Sequence, residues 1–566
     1  MADLKVETVE TTPIADQKTG TSGLRKKVTV FQSKNYIQNW LQSLFDWILT
    51  NSQGQLGTLV VGGDGRYWNK DAIHIILHMA VANGFRKFIV GQDGILSTPA
   101  VSHIIRKYSA LGGIILTASH NPGGPNNDFG IKYNVSSGGP APESVTSAIY
   151  DINQKLSSYK TSNLPAVDLG KCGEQVFFGG EVSVTVLDSC ADYLEFMKEI
   201  FDWAALKALF ARKDFKVCMD SLNGVTGPYS KRIFVDELGA SADSVCNAEP
   251  KEDFGGLHPD PNLTYAADLV AKMNTGQYDF GAAWDGDGDR NMVLGKKFFV
   301  NPSDSLAIIC AHATCVPYFK DGVKCVSRSM PTSEAVDYVA RKFKYAFYEV
   351  PTGWKFFSNI MDHYEADGGH AVICGEESFG NGSDHIREKD GIWATLMWLS
   401  ILAAQNRDTP EGSLRSVEAI TRDHWKEYGR NYYTRYDYEE VSKEGADSMM
   451  AHLRAQADDA SLIGKEFGAF KVAKVDDFEY NDVFEKSVTK KQGVRVIFSD
   501  GSRFVFRLSG TGSSGATVRL YLERYEKDSA KLDEDPQAVM APLIAIALEV
   551  SKLDEFTGRK APTVIT

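Results

Sequence analysis

The sequence GGIILTASHNPGG, residues 112–124, runs from an apolar segment into a polar turn rich in glycine. The apolar part is typical of a buried β-strand, and the glycines and the proline that follow indicate a turn. Ser119 therefore lies at the end of a predicted strand. In open α/β sheets ligands bind beyond the carboxyl ends of the strands, so the Ser119–His120 pair is the first indication of a functional site.

The same order of elements occurs three times in the first two thirds of the chain: strand, helix, strand, helix, strand and polar loop. The apolar segments predicted as strands are TLVVGG (58–63), KFIVG (87–91), GGIILTAS (112–119), FKVCMD (215–220), a short strand ending at Cys246, YDFGAAWD (278–285), VKCVS (323–327), AFYEV (346–350) and HAVICGEE (370–377). Helices are predicted near 69–83, 98–109, 227–238, 264–275, 332–343 and 353–365. This alternation predicts an α/β fold with mixed, mainly parallel sheets.

Three polar loops close the three segments: TASHNPGG (117–124), DGDGDR (285–290) and GEESFG (375–380). Their equivalent positions predict three related domains whose loops face one cleft. The alternative is that the loops are ordinary polar connections, which any α/β protein has at these strand ends.

The pattern changes after the polar linker AAQNRDTPEG (403–412). The segment VRVIFSDGSRFVFRL (494–508) alternates with period two around an Asp-Gly turn, which predicts a hairpin. Helices near 413–428, 440–456 and 537–552 complete a predicted α+β domain. We therefore expect four domains, at 1–192, 193–317, 318–410 and 411–566.

The composition is that of an ordinary soluble protein: 566 residues, 43% of them hydrophobic and 24% charged, with a net charge of −13. We expect a cytoplasmic location, because the N-terminus has no signal or transit pattern and no stretch is apolar enough to span a membrane. The acidic balance argues against nucleic acid or an anionic membrane as a partner. The eight cysteines form no CxxC pair and are expected to be reduced and mostly buried.

The loop DGDGDR places Asp285, Asp287 and Asp289 at alternate positions with glycines between them. The backbone can then turn three carboxylates toward one point, which suits a hard divalent cation such as Mg²⁺. An EF-hand is excluded, because Arg290 and Lys296 stand where that loop needs Gly and Glu. A solvated acidic turn is the alternative, although three close carboxylates repel one another without a cation or strong donors.

The segment RLSGTGSSGATVRLY (507–521) has three glycines in the GxGxxG spacing. A dinucleotide-binding loop would open a helix, whereas the residues after Gly515 are β-rich, and the Gly-Lys-Ser/Thr ending of a Walker loop is missing. A glycine turn with several hydroxyls, flanked by Arg507 and Arg519, suits a phosphate dianion. An ordinary hairpin is the alternative.

The loop GEESFG offers Glu376 and Ser378 to the hydroxyls of a sugar. Two glutamates could also indicate glycoside hydrolysis, but adjacent side chains at a strand end point in opposite directions, so Glu376 and Glu377 are poor partners for one bond. Lys389 follows in SDHIREKDG (383–391). It is a candidate proton shuttle, because the pKa of a lysine held near other cations can fall.

Two further patterns have weaker functional interpretations. His74 and His78 have the i, i+4 spacing of a metal pair, but they lack the glutamate of HExxH and lie on an apolar helix, which favours a structural role. The TASHN segment is not GxSxG. A serine beside a metal loop and a phosphate-binding loop is therefore better explained as a phosphate carrier than as a hydrolase nucleophile.

Taken together, these motifs resemble those of the α-D-phosphohexomutase superfamily, and in particular its eukaryotic-type phosphoglucomutases. The segments that carry the resemblance are GTSGLR (20–25), TASHNPGG, DGDGDR, VPTGWKFF (350–357), CGEESFG with SDHIREKDG, and RLSGTGSSGATVRLY. They follow the order of that family over nearly the whole chain. The resemblance implies three α/β domains and a C-terminal α+β domain of the TATA-binding-protein-like fold around a central cleft.

The resemblance also implies a role for each candidate residue. Ser119 would be phosphorylated and would hold Mg²⁺ together with Asp285, Asp287 and Asp289. The residues implied around the transferring phosphoryl group are Arg25, His120, Lys132, Arg290 and Lys389. Those implied to contact the sugar and its distal phosphate are Thr352, Gly353, Glu376, Ser378, Arg507, Ser509, Gly510, Thr511 and Arg519.

The implied reaction interconverts glucose 1-phosphate and glucose 6-phosphate through a phosphoserine enzyme. Its implied cofactors are one Mg²⁺ per site and glucose 1,6-bisphosphate, which is both intermediate and activator. The implied partner is a small phosphosugar, and we expect a monomer or a weak dimer. Two alternatives stay open: a non-enzymatic scaffold, since such proteins exist in the family, and a mutase of broader hexose specificity. The complete set of expected residues favours the enzyme.

Overall fold

The structure is a computed structural model, and it describes residues 3–20, 22–509 and 515–566. Three α/β units follow one another along the chain, and an α+β unit ends it. Among the described residues no helix has the length and apolar character needed to cross a membrane.

The first unit has nine strands, seven of which form one mixed sheet. Its strands are β1 (Val6–Glu10), β2 (Leu24–Lys27), β3 (Leu59–Gly63), β4 (Lys87–Ile95), β5 (Gly112–Leu116), β6 (Asp128–Val135), β7 (Ser158–Ser162), β8 (Gly173–Phe177) and β9 (Val182–Leu187). Its helices are α1 (Val28–Phe31), α2 (Tyr36–Asn51), α3 (Asn69–Ala82), α4 (Thr98–Lys107) and α5 (Glu143–Asn153). The sheet order is β2-β6-β5-β3-β4-β9-β8, and β1 pairs with β7 apart from it.

The second unit has a five-stranded sheet in the order β11-β10-β12-β13-β14. Its elements are α6 (Ala191–Ile200), α7 (Trp203–Phe210), β10 (Val217–Asp220), α8 (Thr226–Ser230), β11 (Val245–Cys246), α9 (Ala267–Asn274), β12 (Phe280–Trp284), β13 (Asn291–Gly295) and β14 (Phe298–Val300). The helix predicted near 227–238 is only partly α-helical, because α8 continues as a π-helix over Lys231–Glu237.

The third unit has a four-stranded sheet in the order β16-β15-β17-β18. Its elements are α10 (Pro302–His312), β15 (Cys325–Ser329), α11 (Ala335–Phe343), β16 (Ala346–Val350), α12 (Trp354–Ala366), β17 (Val372–Gly375), β18 (Asn381–Ser383), α13 (Gly391–Gln405) and α14 (Val417–Tyr428). Helix α13 is apolar on all sides, and its residues from Gly391 to Ala403 are buried. This helix begins two residues after Lys389, at Gly391, and so ties the loop that carries Lys389 to the core.

The three sheets share one arrangement, which confirms the predicted α/β repeat. The order β6-β5-β3-β4 in the first sheet corresponds to β13-β12-β10-β11 in the second and β18-β17-β15-β16 in the third. In each case the first three strands of the repeat are parallel, and the fourth returns antiparallel beside the third. The loops after β5, β12 and β17 are the three polar loops of the sequence. They occupy equivalent places at the carboxyl ends of parallel strands.

The last unit is an antiparallel sheet with helices on it, as the α+β prediction requires. Its elements are β19 (Arg430–Val441), α15 (Lys443–Asp458), β20 (Glu466–Phe467), β21 (Phe470–Asp477), β22 (Tyr480–Asp482), β23 (Ser487–Thr489), β24 (Val494–Phe498), β25 (Arg503–Ser509), β26 (Ala516–Glu526), α16 (Pro536–Ser551), α17 (Leu553–Thr557) and β27 (Val564–Ile565). Strands β24 and β25 form the predicted hairpin around the Asp-Gly turn. The sheet order is β20-β21-β24-β25-β26-β19-β27.

The predicted domain boundaries at 192, 317 and 410 stay predictions. Helix α14 lies beyond the last of them in sequence, and it packs on α10, α11 and β14 of the preceding units. The cysteines are free thiols, as expected, and five of the eight are buried. The ring nitrogen Nδ1 of His78 lies 2.7 Å from the carbonyl of Ser162, a contact that suits the predicted structural role of this histidine.

Candidate active site

Ser119 is buried in a left-handed backbone conformation, with φ at 52°, at the turn that follows β5. Its hydroxyl donates a hydrogen bond of 2.7 Å to Oδ2 of Asp285, in the loop of the second unit. Nδ1 of His120 lies 3.4 Å from the same oxygen. The two loops predicted to share a site therefore meet at this hydroxyl.

A buried ion pair holds the backbone of Ser119. The guanidinium of Arg66 pairs with Asp64 and donates to the carbonyl of Ser119 at 3.0 Å. Asp64 also accepts a hydrogen bond of 2.6 Å from Thr117, whose Oγ1 in turn accepts the N–H of Ser119 at 2.7 Å. This network fixes both sides of the Ser119 turn, and it accounts for a non-glycine residue in a strained backbone region.

The residues Asp285, Asp287 and Asp289 form a compact buried carboxylate group. One oxygen of each lies within 4.8 Å of the others. Burial, with Asp287 and Asp289 nearby, raises the pKa of Asp285 well above its ordinary value. Oδ1 of Asp287 and of Asp289 are buried and have no hydrogen-bond partner. Three converging carboxylates, two of them with an unpartnered buried oxygen, fit a hard divalent cation bound through oxygen.

Two lysines bring charge to the cleft, one from the first unit and one from the third. Nζ of Lys389 lies 3.3 Å from Oδ2 of Asp289 and 3.8 Å from Oε2 of Glu376. Burial lowers the pKa of Lys389, but these two carboxylates outweigh it, so the pKa lies above its ordinary value. The expectation of a lowered pKa at Lys389 is therefore wrong. Lys132 lies 3.1 Å from Oε1 of Glu388.

Arg25, Arg290 and His120 lie around the same space. Burial lowers the pKa of Arg25 to about 10, which leaves it protonated at neutral pH. Its Nε and one terminal nitrogen are buried without a partner, so donors are available to an anion. Burial, with Arg290 and Arg25 nearby, lowers the pKa of His120 well below its ordinary value. The imidazole is therefore neutral and adds no charge to the two guanidinium groups.

The loops of the third unit contribute polar groups on the facing wall. Oε1 of Glu376 accepts the N–H of Gly353 at 3.0 Å, which joins GEESFG to the loop before α12. Gly353 has φ at 132°, a conformation that an L side chain rarely adopts. Glu377 points away from Glu376 and accepts a hydrogen bond of 2.8 Å from Ser329. The two glutamates thus face opposite ways.

Two arginines from the last unit lie side by side on β25 and β26, where Arg507 pairs in register with Arg519. Nε of Arg507 donates to the carbonyl of Gln492 at 2.9 Å. Arg519 lies 3.5 Å from Asp437, and its Nε has no hydrogen-bond partner. Ser509 ends β25 beside them. The predicted residues Gly510 and Thr511 lie outside the described residues.

One cavity of about 420 Å³ brings most of these groups together. The predicted residues among its lining are Arg25, Ser119, Lys132, Asp289, Arg290, Thr352, Gly353, Glu376, Ser378, Lys389, Arg507, Ser509 and Arg519. His120, Asp285 and Asp287 are not among its lining residues and lie behind Ser119. All four units contribute to this cavity, as a central cleft requires.

Three features of the site were not predicted from the sequence. Thr98 donates a hydrogen bond of 2.7 Å to Asp287, and no local signal links residues that lie 189 positions apart. The carboxylate of Glu388 accepts hydrogen bonds from Lys132 and Asn134. Its position between Arg387 and Lys389 in the sequence could have indicated that it belongs to the site. The pair of Asp64 and Arg66 lies in a polar glycine-rich turn, GGDGR (62–66), directly after a predicted strand.

Comparison with known proteins gives matches over most of the chain. Profiles of the phosphoglucomutase/phosphomannomutase α/β/α domains I, II and III match residues 16–160, 191–297 and 302–428. A profile of the phosphoglucomutase-1 C-terminal domain matches residues 430–563. Phosphoglucomutase-1 of Homo sapiens is 56% identical, and the match covers 100% of both chains.

Two further relatives come from other kingdoms of life. The cytoplasmic phosphoglucomutase of Solanum tuberosum is 55% identical, again over 100% of both chains. The open form of pp63/parafusin, a phosphoglucomutase from Paramecium, is a solved structure with 47% identity and a TM-score of 0.88. This match covers 100% of the present chain and 99% of the Paramecium chain.

Proposed function

Since the chain belongs to the phosphoglucomutase/phosphomannomutase family, we propose that Ser119 is the phosphoryl carrier of its active site. Full-length identity of 55–56% to phosphoglucomutases assigns phosphoglucomutase activity to the chain, an isomerase-class phosphotransferase that acts on phosphosugars. A cytoplasmic location accords with the relative from Solanum tuberosum. The carrier role itself is supported by one observation above all: the buried hydroxyl of Ser119 donates to Asp285 in the carboxylate group.

Phosphoglucomutases use a metal ion, and we assign its site to Asp285, Asp287, Asp289 and an oxygen on Ser119. We propose Mg²⁺, because three carboxylates and a phosphate oxygen form an all-oxygen ligand set for a hard cation. Bound there, Mg²⁺ would offset negative charge on the phosphoryl group as it is transferred. Thr98 orients Asp287, and the N–H of Arg290 donates to Oδ1 of Asp285 at 3.0 Å, so the protein presets two of the three ligands.

The cations of the site have separate tasks in this proposal. A phosphoserine carries about −1.5 to −2 charges. Arg25 and Arg290 face this charge with guanidinium groups, and Lys132 and Lys389 add two ammonium groups at the cavity wall. With His120 neutral, these four side chains supply positive charge around the transferring group. Positioned positive charge of this kind is the main contribution of a protein to phosphoryl transfer.

The sugar is held from the other side. Glu376 and Ser378, with Thr352 and Gly353, line the same cavity as Ser119 and offer acceptors and donors to sugar hydroxyls. Arg507, Ser509 and Arg519 bind the distal phosphate, in the fork geometry that suits arginine and a phosphate dianion. Glu376 also touches Lys389, so the sugar contacts and the charge beside the carboxylate group are physically linked.

We further propose that glucose 1,6-bisphosphate is the intermediate. The hydroxyl of a bound monophosphate takes the phosphoryl group from Ser119, and the bisphosphate turns over so that its other phosphate faces Ser119. A single distal site must then accept either phosphate. Two arginines and a hydroxyl suit this requirement, because they recognise a phosphate group rather than the sugar position that carries it. Closure of the cleft would exclude water, which otherwise competes for the phosphoserine.

A mutase of broader hexose specificity is the second candidate function, since the family also includes phosphomannomutases. The contacts of Glu376 and Ser378 with the sugar would decide which hexose phosphates the enzyme accepts. A purely structural role is disfavoured, because the described catalytic groups are all present and assembled around one cavity.

The carrier role is tested by Ser119→Ala in a coupled assay with glucose 1-phosphate, Mg²⁺ and a trace of glucose 1,6-bisphosphate. We expect activity to fall at least about a thousandfold, because the nucleophile is lost. Ser157→Ala, at an exposed serine of the same unit, is the matched control and should retain activity. Intact mass after incubation with glucose 1,6-bisphosphate should show one phosphoryl group on wild type and none on Ser119→Ala. Full activity in a folded Ser119→Ala protein would end the proposal.

A further inference from the structure

A pair of cysteines lies beside a lysine in the second unit, away from the active-site cavity. Cys218 is on β10 and Cys246 is on the neighbouring parallel strand β11, where Asp220 pairs in register with Cys246. Cys218 is therefore two residues before the partner of Cys246, so both side chains lie on the same face of the sheet. Cys246 packs against the small apolar cluster that contains Cys218.

Lys272, on helix α9, completes this group. Its ammonium Nζ donates to Sγ of Cys246 at 2.9 Å. Cys246 is partly exposed, whereas Cys218 is buried. A positive charge at contact distance and access to solvent are the two properties that make a thiol reactive, because the thiolate is the nucleophile. The remaining charged group that faces the pair is Asp220.

The neighbouring groups act differently on the two sulfurs. The Cys218 thiol lowers the pKa of Cys246 below its ordinary value; burial opposes the shift and the bond from Lys272 adds to it. Cys246, together with burial, raises the pKa of Cys218. The two sulfurs are thus unequal: the partly exposed one loses its proton more readily, and the buried one holds its proton more tightly.

We propose that Cys246 is a peroxide-reactive thiolate and that Cys218 is its resolving partner. The sulfur of Cys246 attacks the terminal oxygen of a hydroperoxide; an S–O bond forms, the O–O bond breaks, and the other oxygen leaves as hydroxide or alkoxide and takes a proton from solvent to give water or an alcohol. Cys246 is oxidised to a sulfenic acid, and the peroxide is reduced. The sulfur of Cys218 then attacks that of Cys246; the S–S bond forms, the S–O bond breaks, and the hydroxyl leaves with the Cys218 proton as water.

The other cysteines of the described chain differ from Cys246 in their exposure or in their surroundings. Cys172 is exposed, Cys315 is partly buried, and the cysteines Cys190, Cys310, Cys325 and Cys374 are buried. Cys172 is therefore a built-in reference for the reactivity of an ordinary exposed thiol. Reversible oxidation of this kind is the usual role of a disulfide in a protein from a reducing compartment.

The test treats reduced, full-length protein with graded hydrogen peroxide, followed by dimedone labelling and peptide mapping after differential alkylation. We expect wild type to form a Cys218–Cys246 disulfide, with the loss of two hydrogen atoms from the intact mass and reversal by dithiothreitol. Cys246 should react at least about tenfold faster than Cys172. This mapping needs no variant, so it stands even if a substitution unfolds the protein.

Four variants assign the roles of the group. Cys218→Ala should stop at a sulfenic acid on Cys246 that dimedone traps, and Cys246→Ser should lose the fast reaction altogether. Lys272→Met should slow the reaction of Cys246 about tenfold, whereas Lys272→Arg should retain it. The proposal is overturned if Cys246 reacts no faster than Cys172, if Lys272→Met reacts as fast as wild type, or if the oxidised wild type shows Cys246 paired with a cysteine other than Cys218.

Discussion

Thr98 is distant in sequence from the carboxylate loop to which its side chain binds. It is the first residue of α4, where Ser97 caps the helix, and its side chain donates to Oδ2 of Asp287 in another unit. The N–H of Thr98 also donates to the carbonyl of Asp287 at 3.0 Å. Two hydrogen bonds therefore orient one proposed metal ligand.

We predict that Thr98→Val weakens Mg²⁺ binding about 10- to 100-fold, the usual cost of losing a group that orients a metal ligand. The measurements are calorimetric titration with Mg²⁺ and the Mg²⁺ concentration that gives half-maximal activity. Thr98→Ser keeps the hydroxyl and should bind Mg²⁺ like wild type. An unchanged Mg²⁺ requirement in Thr98→Val would show that this hydrogen bond does not orient Asp287 for metal binding.

Asp304 is a second residue whose environment leads to a measurable prediction. It is buried in the first turn of α10 and accepts a hydrogen bond of 3.1 Å from Trp425 on α14. Burial raises the pKa of Asp304 to about 6, and the charge of Arg430 only partly opposes this. Because the folded protein binds this proton more tightly than the unfolded chain, Asp304 favours folding below its unfolded pKa of about 3.9. That contribution is lost as the pH rises through about 6.

We therefore predict that Asp304→Asn changes the pH dependence of stability. The variant keeps an acceptor for Trp425 but cannot ionise, so it should gain stability relative to wild type between pH 4 and pH 7, by about 3 kcal/mol at most. Thermal unfolding midpoints measured across this range in both proteins provide the test. Parallel curves for the two proteins would mean that Asp304 does not titrate in this interval.

At the scale of elements, the sequence patterns located the sheets well because each pattern reports a local property. The repeated apolar segments became β3, β10 and β15 with their parallel neighbours, and the period-two segment became the hairpin of β24 and β25. The helix near 227–238 was less well predicted, since α8 gives way to a π-helix. Backbone hydrogen bonds of that kind depend on tertiary packing, here against β11, which the helical period does not report.

The close approach of two loops depends on a glycine. A Cβ atom added to Gly286 would lie 2.7 Å from the carbonyl oxygen of Ser119 and 3.1 Å from the ring of Phe254. Both atoms belong to well-packed groups, so the carboxylate loop would have to move away from Ser119. The contact between Ser119 and Asp285 is therefore set by the backbone as well as by the side chains.

We predict that Gly286→Ala lowers kcat about 100-fold, the cost of displacing reacting groups by roughly 1 Å. Gly57→Ala is the matched control, because the nearest atom to its added Cβ would be Leu111 Cβ at 3.6 Å. The comparison uses kcat and the thermal unfolding midpoint of both variants. Equal kcat values for Gly286→Ala and wild type would contradict the tight approach of these loops.

At the scale of the whole molecule, a buried arginine of the last unit connects that unit to the third. Nε of Arg503 on β25 pairs with Glu523 at 2.7 Å, and its other nitrogens donate to the carbonyls of Met330 and Thr332 at 3.0 and 2.7 Å. The hydroxyl of Thr332 accepts the N–H of Glu377 at 2.8 Å. The loop of the third unit at the cleft is thus held partly by the last unit.

We predict that Arg503→Met destabilises the protein by about 3 to 5 kcal/mol, because Glu523 is left buried without its partner. The variant should also raise KM for glucose 1-phosphate, since the support of the GEESFG loop is weakened. Arg407→Met, at an exposed arginine, is the control and should leave both quantities near wild type. Chemical unfolding and steady-state kinetics are the measurements, and wild-type stability in Arg503→Met would argue against this connection.

The sequence by itself determined the α/β repeat, the α+β ending, the polar loops and the residue types of the site. These follow from local chemistry: apolar periodicity, glycine turns and alternating carboxylates are visible within a few residues. The resemblance to a family supplied the roles. The comparisons established the family, while the roles of individual residues stay proposals.

Only the tertiary structure decided how these parts act on one another. It brought Ser119 onto Asp285, and it added Thr98, Glu388 and Arg66, whose partners are distant in sequence. It also reversed the expected pKa shift of Lys389, because Asp289 and Glu376 lie beside its ammonium group. Electrostatic interactions depend on distance and burial in three dimensions, so the motif that contains Lys389 could not report the charges around it.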